Sequence, residues 1–337
     1  MNATMRAVVC ESWRPFDELE LTRVSVPPLR HPEDVRIEVR HAGVSWATTL
    51  VVAGKYQRKP PLPFSPGTEV TGIVLEVGPQ VSGLVPGDRV CAVADFGAYA
   101  EQAVIHRRHV FKVPDGLPLD AAIALPISYM TAYGALLWRA KIKAGDRVLI
   151  HGAAGAVGLG AVDIAQAHGC EVFAVVRGEE KRRFLARRGV DHVIDSTTAD
   201  FQAVAREATG GRGVDVILDT VGGSVFERSL RCLDEDGRLL VVGFVGGDIA
   251  TVATNLILLK NIAVAGFNLG QYVGWGVVDE RARFAARYGQ GMEQLLAWWC
   301  EGRIAPVLHA RRPLAEFRDA MRLVTDRQAV GRVLLDL

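Results

Sequence analysis

The chain has 337 residues, with 39 Lys plus Arg balanced by 38 Asp plus Glu and 49% hydrophobic residues. A formal charge of +1 excludes a broad basic field for nucleic acid or an anionic membrane, so any anionic ligand must be held by a local arrangement of residues. Five scattered cysteines (Cys10, Cys91, Cys170, Cys232 and Cys300) form no C-x-x-C pair; they exclude a disulfide framework or zinc knuckle and read as buried, reduced thiols. The N-terminal segment meets Glu11, Arg14 and Asp17 too early for a signal peptide, and no apolar run reaches the roughly 18 residues of a membrane span. A cytoplasmic protein of two domains is expected.

Residues 1–122 read as a β-rich, irregular barrel-like domain. Val35–Arg40 alternates apolar and polar residues, Glu69–Val77 is rich in β-branched residues, and turns are marked at Pro27-Pro28, Pro60-Pro61, Pro86-Gly87-Asp88 and Pro114-Asp115-Gly116. Over 123–267 short apolar runs alternate with amphipathic stretches. The runs are Val148–His151, Glu171–Val176, His192–Asp195, Val214–Asp219, Arg238–Val242 and Ile262–Phe267. That texture predicts an α/β domain, a doubly wound parallel sheet with crossover helices. Residues 268–337 return to mixed structure: helices over Arg281–Cys300 and Leu314–Val324, and a last strand over Arg332–Leu335 that packs back onto the first domain.

The first strand of the α/β region runs directly into Gly152, Gly155 and Gly158, and a helix follows. The spacing is G-x-x-G-x-x-G. Small residues there let backbone N–H groups at a helix N-terminus approach a dinucleotide pyrophosphate, so Gly152, Ala154, Gly155, Ala156, Val157 and Gly158 are the expected cradle. The residue after the second strand separates the two dinucleotides. An acid suits the ribose 2′-hydroxyl of NAD; here it is Arg177, with Lys181 one turn into the next helix, and two cations suit the 2′-phosphate of NADPH. Glu179 and Glu180 serve the N-terminus of that helix.

Several segments together resemble the zinc-independent quinone oxidoreductases (zeta-crystallin-like) of the medium-chain dehydrogenase/reductase superfamily. They are His41–Ser45, Gly54–Tyr56, Pro66–Gly72, Pro86–Val90, Thr131–Gly134, Ala144–Gly158 and Thr209–Asp215. The resemblance implies a GroES-like β-rich catalytic domain, a Rossmann domain, bound NADPH, and a homodimer formed through Ile262–Phe267. It carries Ser45 and Thr131 to the nicotinamide side, the backbone of Gly243, Phe244 and Val245 to the nicotinamide amide, and Ser196 and Arg327 to the cofactor. Ser196 stands where similar proteins place a tyrosine, Ala156 where they place a second glycine, and Asp163 where they place a glutamine. A methyl at 156 is compatible with the turn if that residue keeps a negative φ.

Zinc-dependent relatives hold a catalytic metal with a cysteine and a histidine where this chain has Ser45 and Thr68. Hydroxyls are poor zinc ligands. The four-cysteine lobe is absent, and the eight histidines show no paired spacing, so no metal is expected. Without a Lewis acid, the accessible reaction is hydride transfer from NADPH to an electron-poor acceptor, a quinone or another α,β-unsaturated carbonyl. Tyr56 is the expected proton or hydrogen-bond donor to the developing oxyanion; the alternative is a ring packed under the proline-rich loop Pro60–Pro66. Glu69 reads as a structural hydrogen-bonding residue. Tyr272 and Trp275 either line the acceptor pocket or cap the subunit surface. Two other functions fit the same motifs, an enoyl-thioester (acryloyl-CoA-like) reductase and a non-catalytic, crystallin-like NADPH-binding protein.

Overall fold

The structure, a computed structural model, describes residues 3–337, so the first two residues of the expected 1–122 domain lie outside the described residues. Two compact units emerge. One holds the chain up to Ile127 together with Gly270–Glu301 and Pro306–Leu337; the other holds Ser128–Leu269 and Gly302–Ala305. The expected boundaries were 122/123 and 267/268, and nothing in the sequence marked the return of Gly302–Ala305 to the second unit.

The first unit is built on a seven-stranded sheet. Its central strand, Asp34–Gly43, buries Val35, Ile37 and Val39 and turns Arg36 and Glu38 outward, the period-2 pattern of a half-buried strand. It pairs antiparallel with Glu69–Val77 and, through Leu334↔Gly43, with the last strand Arg332–Asp336. The chain's tail therefore completes the sheet its beginning starts. Helix Phe317–Thr325, entered through a 3-10 turn at Leu314–Glu316, lays Phe317, Ala320 and Met321 on the same core.

Inside this unit Glu69 and Arg332 form a buried ion pair, with side chains 0% and 6% exposed. A Cβ on Gly43 would collide with both partners, which is why glycine stands there. Burial pushes the Arg332 guanidinium down to about 10, so it stays charged at neutral pH. Glu69 thus has a structural partner.

The second unit is a six-stranded parallel sheet flanked by helices. In chain order the strands are Arg147–His151, Glu171–Val176, His192–Asp195, Val214–Asp219, Leu233–Val241 and Ala263–Gly266; in space they lie 3-2-1-4-5-6. Their apolar runs are buried on both faces, as a covered parallel sheet requires. The fifth strand starts five residues before the expected Arg238, because Leu233 already pairs with Val214 ahead of a turn through Asp236, φ 58°. The sixth, Ala263–Gly266, lies at the sheet edge. Four of the five cysteines are buried as expected, but Cys300 is exposed at the end of helix Arg281–Cys300. One helical run, Leu119–Ala140, is long and apolar enough to cross a membrane by length and composition; most of it is buried in the protein, as in a core helix.

Two buried histidines tie stability to pH. His109 (1% exposed) is pushed down to about 4, first by burial and then by Arg281. His151 (2% exposed) is pushed down to about 3, chiefly by burial. Ser229 Oγ donates to Val225 O and so accepts from His151 Nε2, 2.7 Å away, which fixes the neutral ring. Both rings are neutral in folded and unfolded chains above about pH 6.5, and below it only the unfolded chain takes up protons. Stability is therefore lost as pH falls from 6.5 toward 4 and 3. At pH 5 each ring accounts for a loss of about 2 kcal/mol relative to pH 7. Urea unfolding at the two pH values measures this, and equal midpoints would contradict it.

Candidate active site

In the second unit the chain reverses its order across the sheet between the strands Arg147–His151 and Val214–Asp219. A ligand crevice forms beyond the carboxyl ends of strands at such a switch point. Gly152 leaves the first strand at φ 65°, and a Cβ there would come within 2.8 Å of Thr220 Oγ1. Gly155 is the N-cap of helix Ala156–Ala167 and provides no side-chain cap. Gly155 N–H donates to Gly152 O and Leu159 N–H to Gly155 O, while the N–H groups of Ala156, Val157 and Gly158 in the first turn have no intrahelical partner. Gly158 must be glycine for packing, since a Cβ would run into Gly152 O and Ala153. Ala156 is helical and keeps a negative φ, so its methyl strains nothing. An exposed, uncapped turn of N–H groups at Gly155 fits a pyrophosphate.

The loops beside this turn are shaped by Asp219 and Thr220, which sequence reasoning did not single out. Asp219 is 1% exposed; its Oδ1 accepts from Val221 and Gly222 N–H at 2.7 and 3.0 Å, and burial raises its carboxyl above the usual range. Thr220 Oγ1 donates to His151 O at 3.0 Å, and Thr220 O accepts from Val245 N–H at 3.0 Å. Of the three residues expected to contact a nicotinamide amide through their backbone, Val245 therefore has its N–H committed. Phe244 and Val245 keep apolar side chains exposed, 39% and 37%. Thr131 stands half-buried on a short α-helical segment, Met130–Tyr133, between two π-helical ones, Leu125–Tyr129 and Gly134–Ala140, a form that favours functional positions.

At the second strand end Arg177 is exposed and makes no ion pair among the described residues, and Gly178 follows at φ 95°. Lys181 lies in the first turn of helix Glu179–Arg187. Glu179 is taken up by Arg182 and Arg183 at 2.5 and 2.8 Å, which hold its carboxyl low, at about 2. Ser196 follows the third strand, and its Oγ donates to Val176 O at 3.0 Å. Arg327 belongs to the first unit, in a left-handed turn (φ 59°) just past helix Phe317–Thr325.

In the first unit, Ser45 caps helix Trp46–Val52, its Oγ accepting Ala47 N–H at 3.3 Å. Tyr56 follows that helix, with its N–H on Leu50 O, and burial raises its phenol above the ordinary value, against a smaller opposing effect from Gln57. It stays a protonated donor at neutral pH, and it makes no ring–ring contact among the described residues. Arg58, two residues on, pairs with Asp95, which also holds Arg281; Arg281 in turn holds Asp279. No spacing in the sequence announces this chain of charges, because Arg281 and Asp95 pair across 186 residues. Trp275 Nε1 is buried and has no acceptor among the described residues. Tyr272 packs on Phe284, centroids 4.6 Å apart, with Arg287 5.9 Å from its ring centroid.

Two groups bear on metal binding. Ser45 and Thr68 offer hydroxyls only, and the neighbouring Glu69 is committed to Arg332. His31, Glu33 and His106 gather their ligand atoms within 4.8 Å, a cluster the histidine spacing did not disclose. There His31 Nδ1 accepts Glu33 N–H at 3.1 Å and His106 Nδ1 accepts Arg108 N–H at 3.3 Å. Each Nε2 therefore carries the ring proton, and His106 Nε2 faces Glu33 Oε2 at 3.4 Å.

Comparison with known proteins matches residues 31–115 to the alcohol dehydrogenase GroES-like domain and residues 156–287 to the family described as zinc-binding dehydrogenase. Quinone oxidoreductase-like protein 2 of Rattus norvegicus is 38% identical over 98% of this chain and 92% of its own. A mycobacterial protein solved in complex with NADPH superimposes with TM-score 0.88 at 28% identity, covering 99% of this chain and 100% of its own. The CurK enoyl reductase gives TM-score 0.85 at 28% identity, covering 99% of both chains.

Proposed function

The chain belongs to the quinone oxidoreductase family of the medium-chain dehydrogenases/reductases, and we propose that it is a cytoplasmic, metal-free reductase that passes a hydride from NADPH to a quinone or another α,β-unsaturated carbonyl. The observation that carries the reading is Arg177: an exposed guanidinium at the end of the second strand, without a carboxylate partner among the described residues, beside an uncapped glycine turn. Bound NADPH supplies the hydride. The N–H groups of Ala156, Val157 and Gly158 hold the pyrophosphate, Arg177 and Lys181 take the 2′-phosphate, and Phe244 covers the nicotinamide with an apolar face. When the hydride reaches the acceptor's electron-poor carbon, the electron pair moves onto oxygen, and the Tyr56 phenol meets that charge as a hydrogen-bond donor. A hydroxyl pair at Ser45 and Thr68 does not fit zinc, which prefers thiolate, imidazole and carboxylate.

An acceptor screen tests the proposal. With NADPH, a quinone and a simple enone are expected to turn over, and Tyr56→Phe is expected to lower kcat by about 10²-fold, the usual weight of one positioned acid or oxyanion donor. Turnover confined to a short enoyl-CoA would move the assignment to thioester reduction. Inertness with every acceptor alongside tight NADPH binding would leave only a binding protein. The reading includes a homodimer joined through the edge strand Ala263–Gly266, near the exposed Leu258 and Leu259 of helix Thr254–Lys260. Sedimentation at monomer mass would remove that part.

A further inference from the structure

Arg177 lies on a loop with almost no side-chain packing: it is exposed, and Gly178 beside it adopts φ 95° with open space where a Cβ would be. A bare loop of this kind would let a guanidinium wander, and a flexible cation recognises phosphate poorly because its ordering cost offsets the contact. The loop is nevertheless fastened at one point. Gly178 N–H donates to Asp195 Oδ1 at 2.9 Å, and the same oxygen accepts Thr197 N–H at 3.0 Å and Thr197 Oγ1 at 2.7 Å. From the other side Ser196 sends both its N–H and its Oγ–H to Val176 O, at 2.9 and 3.0 Å. Residues 176–178 and 195–197 are thus stapled in both directions across the ends of two adjacent strands.

We propose that Asp195 is a positioning residue for 2′-phosphate recognition, fixing the backbone on either side of Arg177 while leaving its guanidinium uncommitted. The inference rests on the NADPH reading above. Its physical content is a division of labour among nearby acids. An aspartate at this strand end could have paired with Arg177 and silenced it; instead Asp195 Oδ1 is filled by two N–H groups and a hydroxyl, and no ion pair links the two residues. Glu179, two residues after Arg177, is held by Arg182 and Arg183. Glu179 is committed to Arg182 and Arg183, Asp195 Oδ1 is filled by its three donors, and Arg177 between them is exposed.

The test uses adenosine 2′,5′-bisphosphate and adenosine 5′-monophosphate as probes of the full-length protein by titration calorimetry, because their affinity ratio isolates the 2′-phosphate. Wild type is expected to favour the bisphosphate by about a hundredfold, the weight of the two charge-assisted contacts from Arg177 and Lys181, and Arg177→Ala to remove about tenfold of that preference. Asp195→Ala is expected to cut the ratio about fivefold with 5′-monophosphate affinity unchanged, and Asp195→Asn, whose amide oxygen still accepts Gly178 N–H, to restore it largely. In an Arg177→Ala background, Asp195→Ala is expected to change nothing further. Thr197→Val, at an exposed position, removes one of the three donors that orient the carboxylate; it is expected to lower the ratio about twofold and gives the answer even if Asp195→Ala does not fold. A ratio unchanged in the Asp195 and Thr197 variants, or equal weakening of both probes, overturns the inference while Arg177 keeps its role. A wild-type ratio near one overturns the NADPH reading itself and the inference with it.

Discussion

Replacing Arg177 and Lys181 together with alanine is expected to raise the KM for NADPH by about a hundredfold and to leave that for NADH within about threefold. The magnitude follows from two charge-assisted contacts to a dianionic phosphate, each about 1.5 kcal/mol or more at a partly solvated site. The selectivity follows from position. Arg177 is at the end of the strand Glu171–Val176, the place that meets the 2′ substituent of a dinucleotide in this fold, whereas the proposed pyrophosphate cradle lies a strand away at Gly155–Gly158. Initial-rate kinetics with both cofactors decide the matter. Equal losses for NADPH and NADH would mean that the two cations support the loop generally and do not read the phosphate. Salt is expected to erode wild-type NADPH affinity more than that of the variant, since exposed cations are screened.

Glu69→Gln is expected to destabilise the first unit by about 3–5 kcal/mol, because it leaves the Arg332 guanidinium buried without its counter-charge. The double substitution Glu69→Leu with Arg332→Met is expected to recover most of that loss, since a buried ion pair contributes little net stability over an apolar pair of similar size. Urea unfolding of the three proteins measures both effects. A loss under about 1 kcal/mol for Glu69→Gln would show that solvent reaches the pair. The position matters for function as well. Gly43 packs directly on Glu69 and Arg332, and Ser45 follows two residues later, so a disturbed pair is felt at the start of helix Trp46–Val52.

The parts of the molecule that could be read from the sequence share one physical property: local residues were sufficient to specify them. Glu171–Val176, His192–Asp195 and Val214–Asp219 begin and end in the structure where their apolar runs begin and end, because a strand covered on both faces needs an unbroken run. The glycine turn was legible because its backbone excludes side chains at Gly152 and Gly158. Arg177 was legible because its place follows from counting along a strand. Ser196 has a partner that no local pattern contains. Its hydroxyl is drawn to Val176 O only because strand pairing brings that carbonyl beside it.

What the tertiary structure alone decided is the set of partners that lie far apart in the chain. Asp195 fastens Gly178, Thr220 fastens His151 and Val245, Arg332 neutralises Glu69, and Arg281 shares Asp95 with Arg58. Each of these pairings joins polar groups, and a polar group carries no signal of its partner until the chain has folded and desolvation makes pairing obligatory. By itself the sequence determined the two-part architecture, the parallel sheet and the glycine turn after its first strand, because hydrophobic periodicity and glycine sterics are local constraints. Which polar groups are spent on holding that frame, and which remain for a ligand, was settled by burial.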